Sequence, residues 1–600
     1  MYRLVKSEDD LDEAFEDLDG ESEGIGFDTE TYGLGLQDRM FSAQFATAST
    51  VWYFNFHAYG TGGPKIWDRA SVLGKLKTVL SKAELAWFIH NAKFDMRRLA
   101  LEGFKISGGV HCTQMQERFI YNQHQRYSLD ACLSRRGLAK DDAVKKYVDE
   151  HKLWTGTGKS KRKHYEKVPF DIMFAYACVD AEQVRILGLD QRRELEAFPF
   201  YHNDLELQKV AFDMEQIGIT VRTDYAQGGL EYEQSQQAST ADTLSALAGE
   251  PFRSGPLWLR GIFDKHEVPY RTNPKTGNPV FDKTALDEID HPIAGLVRQY
   301  RRHEKYGGTY YDVYARNKLI HAEIKLHGTD TGRFSYAEPN LQNVPKEEVL
   351  DETIPYQVRG CFTPRSKDHA FVMVDFNQQE FRLLLDYAGE HELIRKINDH
   401  GEDVHQATAD MVGCSRKHAK TINFGLLYGM GAAKLAAALG ISLMEAKLLK
   451  SLYFSKLPRV EKLIQAIIKK AERQKYVQTW VNRKLYVPSP WRDPESGSIV
   501  RFEYVMPNHL IQGGCGDIAR MAMPPIHSLL NRECHSSAML LQVHDELLFE
   551  IHRSEVSIVP EIVKIMENTY RPFNGMKMTC GIEHSWVSWG KRDVLQGLPA

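Results

Sequence analysis

Arg416-Lys-His-Ala-Lys420-Thr-Ile-Asn-Phe424-Gly-Leu-Leu-Tyr428-Gly429 is the stretch on which the reading of this chain turns. Arg416, Lys420, Phe424 and Tyr428 recur every four residues. On a helix they form one slowly drifting stripe, cationic at its N-terminal half and aromatic at its C-terminal half. Such a stripe fits either of two roles. It is a helix with two solvated cations and two core aromatics, or a surface that grips a triphosphate and stacks a base on its aromatic end.

The flanking segments bear on that choice. Ala370-Phe-Val-Met-Val-Asp375-Phe-Asn-Gln-Gln-Glu380-Phe-Arg382 is an apolar strand ending in a carboxylate, followed by a helix start. Met539-Leu-Leu-Gln-Val-His544-Asp545-Glu546-Leu-Leu-Phe-Glu-Ile551 reads as a hairpin with His-Asp-Glu at its tip. Each puts an acid at the mouth of an apolar strand, where an unpaired charge is costly. Upstream lies Thr331-Gly-Arg333-Phe-Ser-Tyr-Ala-Glu-Pro-Asn340-Leu-Gln342-Asn-Val-Pro345.

In this order and spacing the segments resemble family A DNA polymerases, over nearly the whole chain. The resemblance implies a right-hand polymerase domain of palm, fingers and thumb. It implies that Asp375 and Asp545 hold two Mg²⁺ ions, with Mn²⁺ as a substitute, for nucleotidyl transfer. Glu546 and His544 complete the tip. Arg416 and Lys420 then neutralise the triphosphate. Phe424 and Tyr428 pack against the nascent base pair and sugar, and Glu380 excludes a ribose 2′-OH. Arg333, Asn508 and Gln512 match positions that contact the primer–template minor groove.

Three positions depart from the family pattern. The motif around Asp375 reads Asp-Phe-Asn-Gln-Gln-Glu, where Asp-Tyr-Ser-Gln-Ile-Glu is commonest. Tyr504 stands four residues before Asn508, where arginine is common, and Arg501 is the candidate replacement. Phe424 stands where some relatives carry tyrosine, which implies discrimination against dideoxynucleotides.

A second carboxylate set lies near the N-terminus. In Gly24-Ile-Gly-Phe-Asp-Thr-Glu30, Asp28 and Glu30 share one strand face while Ile25 and Phe27 alternate to the other. Two like charges on one face repel, and a divalent cation removes the conflict. A solvent-facing strand end satisfies the same pattern. His90-Asn-Ala-Lys-Phe-Asp95 follows an apolar segment, and Tyr176 and Asp180 sit at i, i+4 on a helical pattern. Together these residues resemble the DEDD-type 3′–5′ exonucleases of the RNase H-like fold. That resemblance implies a second two-metal site at Asp28, Glu30, Asp95 and Asp180, with Tyr176 orienting the attacking water.

The resulting expectation is an α/β multidomain protein: an RNase H-like 3′–5′ exonuclease domain followed by a right-hand polymerase domain. The boundaries are 1–195 for the exonuclease, 196–330 for the thumb, 331–390 and 490–600 for the palm, and 391–489 for the fingers. The expected activity is DNA-templated DNA synthesis from deoxynucleoside triphosphates on primer–template DNA, with proofreading. A layout without a preceding 5′-nuclease domain resembles bacteriophage replicative enzymes, which places the protein in the host cytoplasm. A bacterial-type repair polymerase is the alternative. A single-subunit RNA polymerase shares the palm motifs, but Glu380 and the exonuclease set argue against it. A non-catalytic DNA-binding scaffold is the third reading, opposed by the full complement of acids.

Whole-chain arithmetic bounds these readings. The 600 residues suggest several domains, and 42% apolar content is enough for several cores. No run of 18 apolar residues occurs, and mean hydropathy is −0.43, so no spanning helix is expected. The first ten residues read as neither a signal nor a transit peptide. Eight scattered cysteines, none in a CxxC, point to reduced thiols and an intracellular enzyme. The net charge of −4 hides a skew: residues 1–30 carry −10 and the other 570 residues +6.

Cations gather in three further places. The segment 151–168 holds six Lys/Arg against Glu166, and is either a solvated loop or a guide for single-stranded DNA. Arg298, Arg301, Arg302 and Lys305 mark a thumb helix that either straddles a duplex or faces solvent. Residues 445–475 carry nine Lys/Arg against three Glu, as fingers helices facing template or solvent. With so little global positive charge, DNA affinity is expected to be modest and salt-sensitive. A helicase–primase or processivity factor is therefore a candidate partner for a protein expected to act as a monomer.

Overall fold

The computed structural model describes every residue except 62, 159–160, 347–354, 402, 428, 494–496 and 595–600. The N-terminal sheet is built from β1 (Tyr2–Leu4), β2 (Ile25–Thr31), β3 (Met40–Ala46), β4 (Val51–Asn55), β5 (Ala86–Ile89) and β6 (Gly109–Cys112), in the order β1-β4-β3-β2-β5-β6. β2, β3 and β4 are antiparallel, while β1, β5 and β6 run parallel to their neighbours. β3, β4 and β5 are buried along their whole length, as expected of strands covered on both faces.

α1 (Glu8–Gly20) is the acidic helix, closed by a Ser7/Asp10 capping box. α2 (Lys93–Leu101) carries Asp95, and α3 (Phe170–Leu195) carries Tyr176 and Asp180. α3 lies directly on β2. A Cβ at Gly26 would sit 2.5 Å from the Ala181 carbonyl oxygen, so glycine lets the helix approach the strand that bears Asp28.

α4 (Pro199–Ile217) packs against β6 and against the long palm helix described below, so it ties the two halves together. Its Glu215 is almost fully buried and forms ion pairs with Lys93 and Arg97, both on the helix of Asp95. α5 (Thr223–Ala248) and α6 (Pro292–Lys305) pair in the thumb-like region, whose tip has its own core of Trp258, Phe263, Phe281, Leu286 and Val297. Two cations assigned to DNA or solvent are used internally here. Arg298 hydrogen-bonds the Leu286 carbonyl and Arg301 the Phe281 carbonyl.

β7 (His369–Phe376) ends at the Asp375 motif and leads into α7 (Gln379–Ala388). The helix His391–His400 follows, and then α8 (Val404–Val412), α9 (Arg416–Leu427), α10 (Ala432–Leu439), α11 (Leu443–Lys456) and α12 (Pro458–Gln474). α13 (Met506–Glu533) returns the chain to the palm, followed by β8 (Ala538–Val543), β9 (Glu546–His552), β10 (Cys580–Ser588) and β11 (Lys591–Val594). The palm sheet is antiparallel, in the order β8-β9-β7-β10-β11, with β7 central. Among the described residues no disulfide links any of the eight cysteines. Among the described residues no helix is long and apolar enough to cross a membrane.

Candidate active sites

Sheet register creates the palm site. Asp375 pairs with Glu546 across β7 and β9, and the Phe376 amide donates to the Asp545 carbonyl at 3.2 Å. The two aspartates therefore stand side by side at one sheet end. Burial, then Glu546 and Asp545, push the Asp375 carboxyl up to about 7. Burial pushes Asp545 up to about 6, against the pull of Arg333. Raised pKa values of this kind mark sites that exchange charge with a ligand.

Two backbone residues beside these acids are held in the left-handed region, Gln378 at φ 51° and His544 at φ 57°. Each costs about 1–3 kcal/mol in a non-glycine residue, a cost tolerated where surrounding packing imposes it. Gln542 secures the tip by donating to the His544 carbonyl, and Gln342 Nε2 donates to Gln542 Oε1 at 3.1 Å.

The remaining predicted palm residues divide. Arg333 Nη2 lies 2.7 Å from Glu380 Oε1 and 3.5 Å from Asp545 Oδ1, so it joins the α7 acid to the tip acid. Glu546 differs from its two neighbours. Arg592 donates to its Oε2 at 2.7 Å and the Trp589 indole to its Oε1 at 3.3 Å, which turns the carboxylate toward β11. Asn508 and Gln512 lie on α13, half-buried.

α9 shows the expected stripe. Arg416 and Lys420 are exposed and Phe424 is half-buried against His405, while Ala419, Ile422, Asn423 and Leu426 face inward. Tyr428 lies outside the described residues. Arg416 makes a two-pronged contact with Asp403, at 3.0 and 2.8 Å. Asp403 also caps α8 through the Gln406 amide and accepts from Gln378 Nε2 at 2.5 Å. These donors outweigh burial and hold Asp403 down at about 2. Asp403 thus links the Asp375 motif to the α9 stripe. It has the sequence signature of a helix N-cap, an Asp before Val-His-Gln-Ala, and nothing in that signature signals the arginine.

The N-terminal cluster is assembled differently. Asp28 and Glu30 come from β2, Asp95 from α2, and Asp180 and Tyr176 from α3. Burial first, then the mutual charge of Asp95, Glu30 and Asp180, raises Asp28 well above its usual value. Burial and Asp180 push Glu30 up to about 8, and burial pushes Asp95 up to about 7. Thr29 Oγ1 donates to Asp95 Oδ1 at 2.6 Å and fixes that side chain. The Tyr176 hydroxyl is raised by burial and by Glu30, Asp180 and Asp28 around it.

A residue absent from the sequence reading enters here. Lys140 Nζ lies 2.5 Å from Asp180 Oδ2 and 4.9 Å from the Tyr176 ring centroid. The other Asp180 oxygen is buried with no hydrogen-bond partner. The four acids fit hard divalent cations by donor type. Among the described residues, however, no three His, Cys, Asp or Glu side chains already converge as a metal cage.

Within the basic segment 151–168, Trp154–Thr155 pairs antiparallel with Arg162–Lys163, and several of its cations have partners in the chain. Arg162 donates to the Tyr32 carbonyl, Lys163 pairs with Asp149, and Lys161 lies over Trp154. Lys159 lies outside the described residues.

A palm sheet with paired carboxylates, a cationic–aromatic fingers helix and a separate α/β domain with its own acid cluster define the polymerase–exonuclease class. Residues 230–588 match the family described as DNA polymerase family A, and residues 2–196 match the family described as 3′-5′ exonuclease. The chain belongs to DNA polymerase family A, with a 3′–5′ exonuclease domain before the polymerase region.

Among its relatives is the DNA polymerase I of Synechocystis sp., 29% identical over 555 residues, 86% of this chain and 54% of the relative. The thermostable DNA polymerase I of Thermus aquaticus is 31% identical over 405 residues, 64% of this chain and 47% of the relative. The DNA polymerase I of Pseudomonas aeruginosa is 28% identical over 583 residues, 91% of this chain and 61% of the relative. The chain thus spans about half the length of the curated relatives it matches. A solved structure, the POL domain of Pol1 from M. smegmatis in complex with DNA primer-template and dNTP, superposes with a TM-score of 0.80. It is 21% identical and covers 98% of this chain and 99% of its own. At that identity the likeness establishes the fold.

Proposed function

We propose that the chain is a DNA-templated DNA polymerase with 3′–5′ proofreading activity. The observation that carries this reading is the juxtaposition of Asp375 and Asp545 at one end of the palm sheet, joined through Gln378 and Asp403 to a helix that presents Arg416, Lys420 and Phe424. In this reading residues 1–195 degrade a mispaired 3′ end. Residues 196–330 form the thumb, 331–390 and 490–600 the palm, and 391–489 the fingers.

Asp375 and Asp545 would hold two divalent ions, Mg²⁺ or Mn²⁺, and Asp28, Glu30, Asp95 and Asp180 two more. Such ions lower the pKa of the attacking oxygen and stabilise the leaving one. Arg416 and Lys420 bind the triphosphate, and Phe424 with Tyr428 seats the base pair. Glu380, pinned by Arg333, walls the sugar pocket. Arg333, Asn508 and Gln512 contact the primer–template, and His544 positions the tip that Asp545 shares. The engagement of Glu546 by Arg592 supports a role in bracing the tip. Tyr176 orients the water in the exonuclease site.

The bacterial relatives named DNA polymerase I favour a bacterial-type repair polymerase over the bacteriophage replicative enzyme expected from layout. Primer extension and 3′-end degradation with divalent metal test the proposal. Extension with deoxynucleotides is expected. Efficient incorporation of ribonucleotides overturns the DNA assignment, and no extension at all supports the scaffold reading.

A further inference from the structure

We propose that Lys140 is a positioning residue of the exonuclease site, whose ammonium is the built-in counter-ion of the carboxylate cluster and competes with the divalent cation for Asp180. The inference rests on the exonuclease reading above, and it concerns what sets the affinity of that site for metal.

Lys140 belongs to none of the elements that carry the acids. It lies in the irregular segment between the helices Leu129–Arg135 and Ala143–Glu150, and its side chain reaches inward until it is 23% exposed. Its Nζ is 2.5 Å from Asp180 Oδ2, and Asp180 itself is 5% exposed. The ammonium also sits over the Tyr176 ring, a desolvated arrangement that strengthens cation–π attraction.

Three of the four acids depend on this group for their charge balance. Lys140 acts on Asp28, Glu30 and Asp180 alike, opposing the upward push of burial on each. On α2, Arg98 acts on Asp95 alone of the four acids and spends its hydrogen bonds on the carbonyls of Gly35 and Asp38. Four acids gathered without a cation would repel one another strongly in so enclosed a place. Lys140 relieves that repulsion.

The same contact obstructs metal. An ammonium on Asp180 Oδ2 weakens the hold of the whole carboxylate, its unpartnered Oδ1 included, on a divalent ion, because the two cations repel at so short a separation. Loading Asp180 is therefore favoured when Lys140 withdraws. Its flexible four-carbon stem permits that, and a cavity of about 660 Å³ lined by Lys140, Asp141, Asp149, Tyr165 and Tyr176 gives it room. The displaced ammonium stays beside Tyr176, which also lines that cavity.

The test uses the full chain carrying Asp375→Ala, so that metal binding reports the exonuclease site, compared with the same chain carrying Lys140→Met in addition. Calorimetric titration with Mn²⁺ is expected to show binding tightened on the order of tenfold by Lys140→Met, the equivalent of one charged hydrogen bond. In EDTA the same variant is expected to melt at a lower temperature, while Lys140→Arg stays near the parent in both measurements. Unchanged or weaker Mn²⁺ binding by a folded Lys140→Met protein overturns the inference. So does an unchanged melting temperature in EDTA. Should Lys140→Met fail to fold, Lys140→Gln serves, and its Mn²⁺-dependent rise in melting temperature must exceed that of the parent. Mn²⁺ binding insensitive to Asp28→Ala/Glu30→Ala in the parent would instead remove the exonuclease metal reading, a result distinct from failure of the Lys140 variants.

Discussion

Asp375 and Asp545 lie on adjacent strand ends of a single antiparallel sheet, whereas Asp28, Glu30, Asp95 and Asp180 converge from one strand and two helices. Both groups pay for their gathering with raised carboxyl pKa values, and both have a cation close by. They differ in where that cation rests. Lys140 sits on one of the clustered acids themselves. In the palm Arg333 lies 3.5 Å from Asp545 while pairing at 2.7 Å with Glu380, and Arg416 sits on Asp403, an acid outside the palm pair. Arg416 can therefore move without uncovering the palm acids, while Lys140 cannot leave without uncovering Asp180. A site set by sheet register is rigid before ligand arrives, and a site assembled from separate elements needs an internal counter-ion to stay assembled.

The strongest way to break this comparison is to disable each site alone. Asp375→Ala is expected to lower primer extension by at least on the order of 10³-fold while sparing 3′-end degradation. Asp28→Ala/Glu30→Ala is expected to do the reverse. Coupled loss of both activities in each mutant would show that the clusters are not independent sites, a real prospect because Glu215 clasps the helix of Asp95 to the polymerase half.

A smaller effect is expected at the aromatic half of the α9 stripe. Phe424 has no hydroxyl to stand in for a missing sugar 3′-OH. Phe424→Tyr supplies one hydrogen bond at that place, so dideoxynucleotide incorporation relative to deoxynucleotide should rise about tenfold or more. Gel-based competition assays measure the ratio, and no change would remove Phe424 from the sugar pocket.

Part of both sites was legible because Asp28, Glu30, Asp375 and Asp545 interrupt or end apolar strands, an interruption the sequence displays directly. Asp375 and Asp545 end β7 and follow β8, and the stripe of α9 keeps its period with Ala419, Ile422 and Leu426 buried behind it. The counter-ions were not legible. Lys140 stands 40 residues before Asp180 in an irregular segment, and its Lys-Asp-Asp context resembles any solvated loop. Arg592 reaches Glu546 from β11 for equally non-local reasons. The basic runs were only partly readable, since charge counts cannot reveal that Arg298, Arg301 and Arg162 spend hydrogen bonds on carbonyls of the same chain. Patterns along the chain report periodicity. They do not report which surface cation another element captures.

The resting place of Arg416 yields a subtler test. Asp403→Asn keeps an N-cap oxygen for α8 but removes the negative charge that holds the guanidinium. The KM for deoxynucleotides is expected to fall by about threefold, the worth of a partly exposed ion pair, with kcat little changed. A rise in KM would mean that Asp403 orients Arg416 for the triphosphate and does not compete with it.

The smallest expected effect separates the two clusters by stability in EDTA. Carboxyls whose folded pKa is raised stabilise the fold fully below the unfolded value near 4, and that contribution is lost as pH rises through the folded value. For Glu30 the folded value is about 8 and for Asp95 about 7, against about 7 for Asp375 and about 6 for Asp545. The melting temperature in EDTA should therefore decline between about pH 4 and 8. Asp28→Asn/Glu30→Gln should remove much of the decline and raise the melting temperature at pH 8 by a few degrees, more than Asp375→Asn does. The inequality follows from architecture. Arg592 and Arg333 already offset the palm acids Asp375 and Asp545, while Asp28, Glu30 and Asp180 share the ammonium of Lys140 and Asp95 leans on Arg98. Equal gains from the two substitutions would show that Lys140 compensates its cluster as fully as the palm arginines compensate theirs.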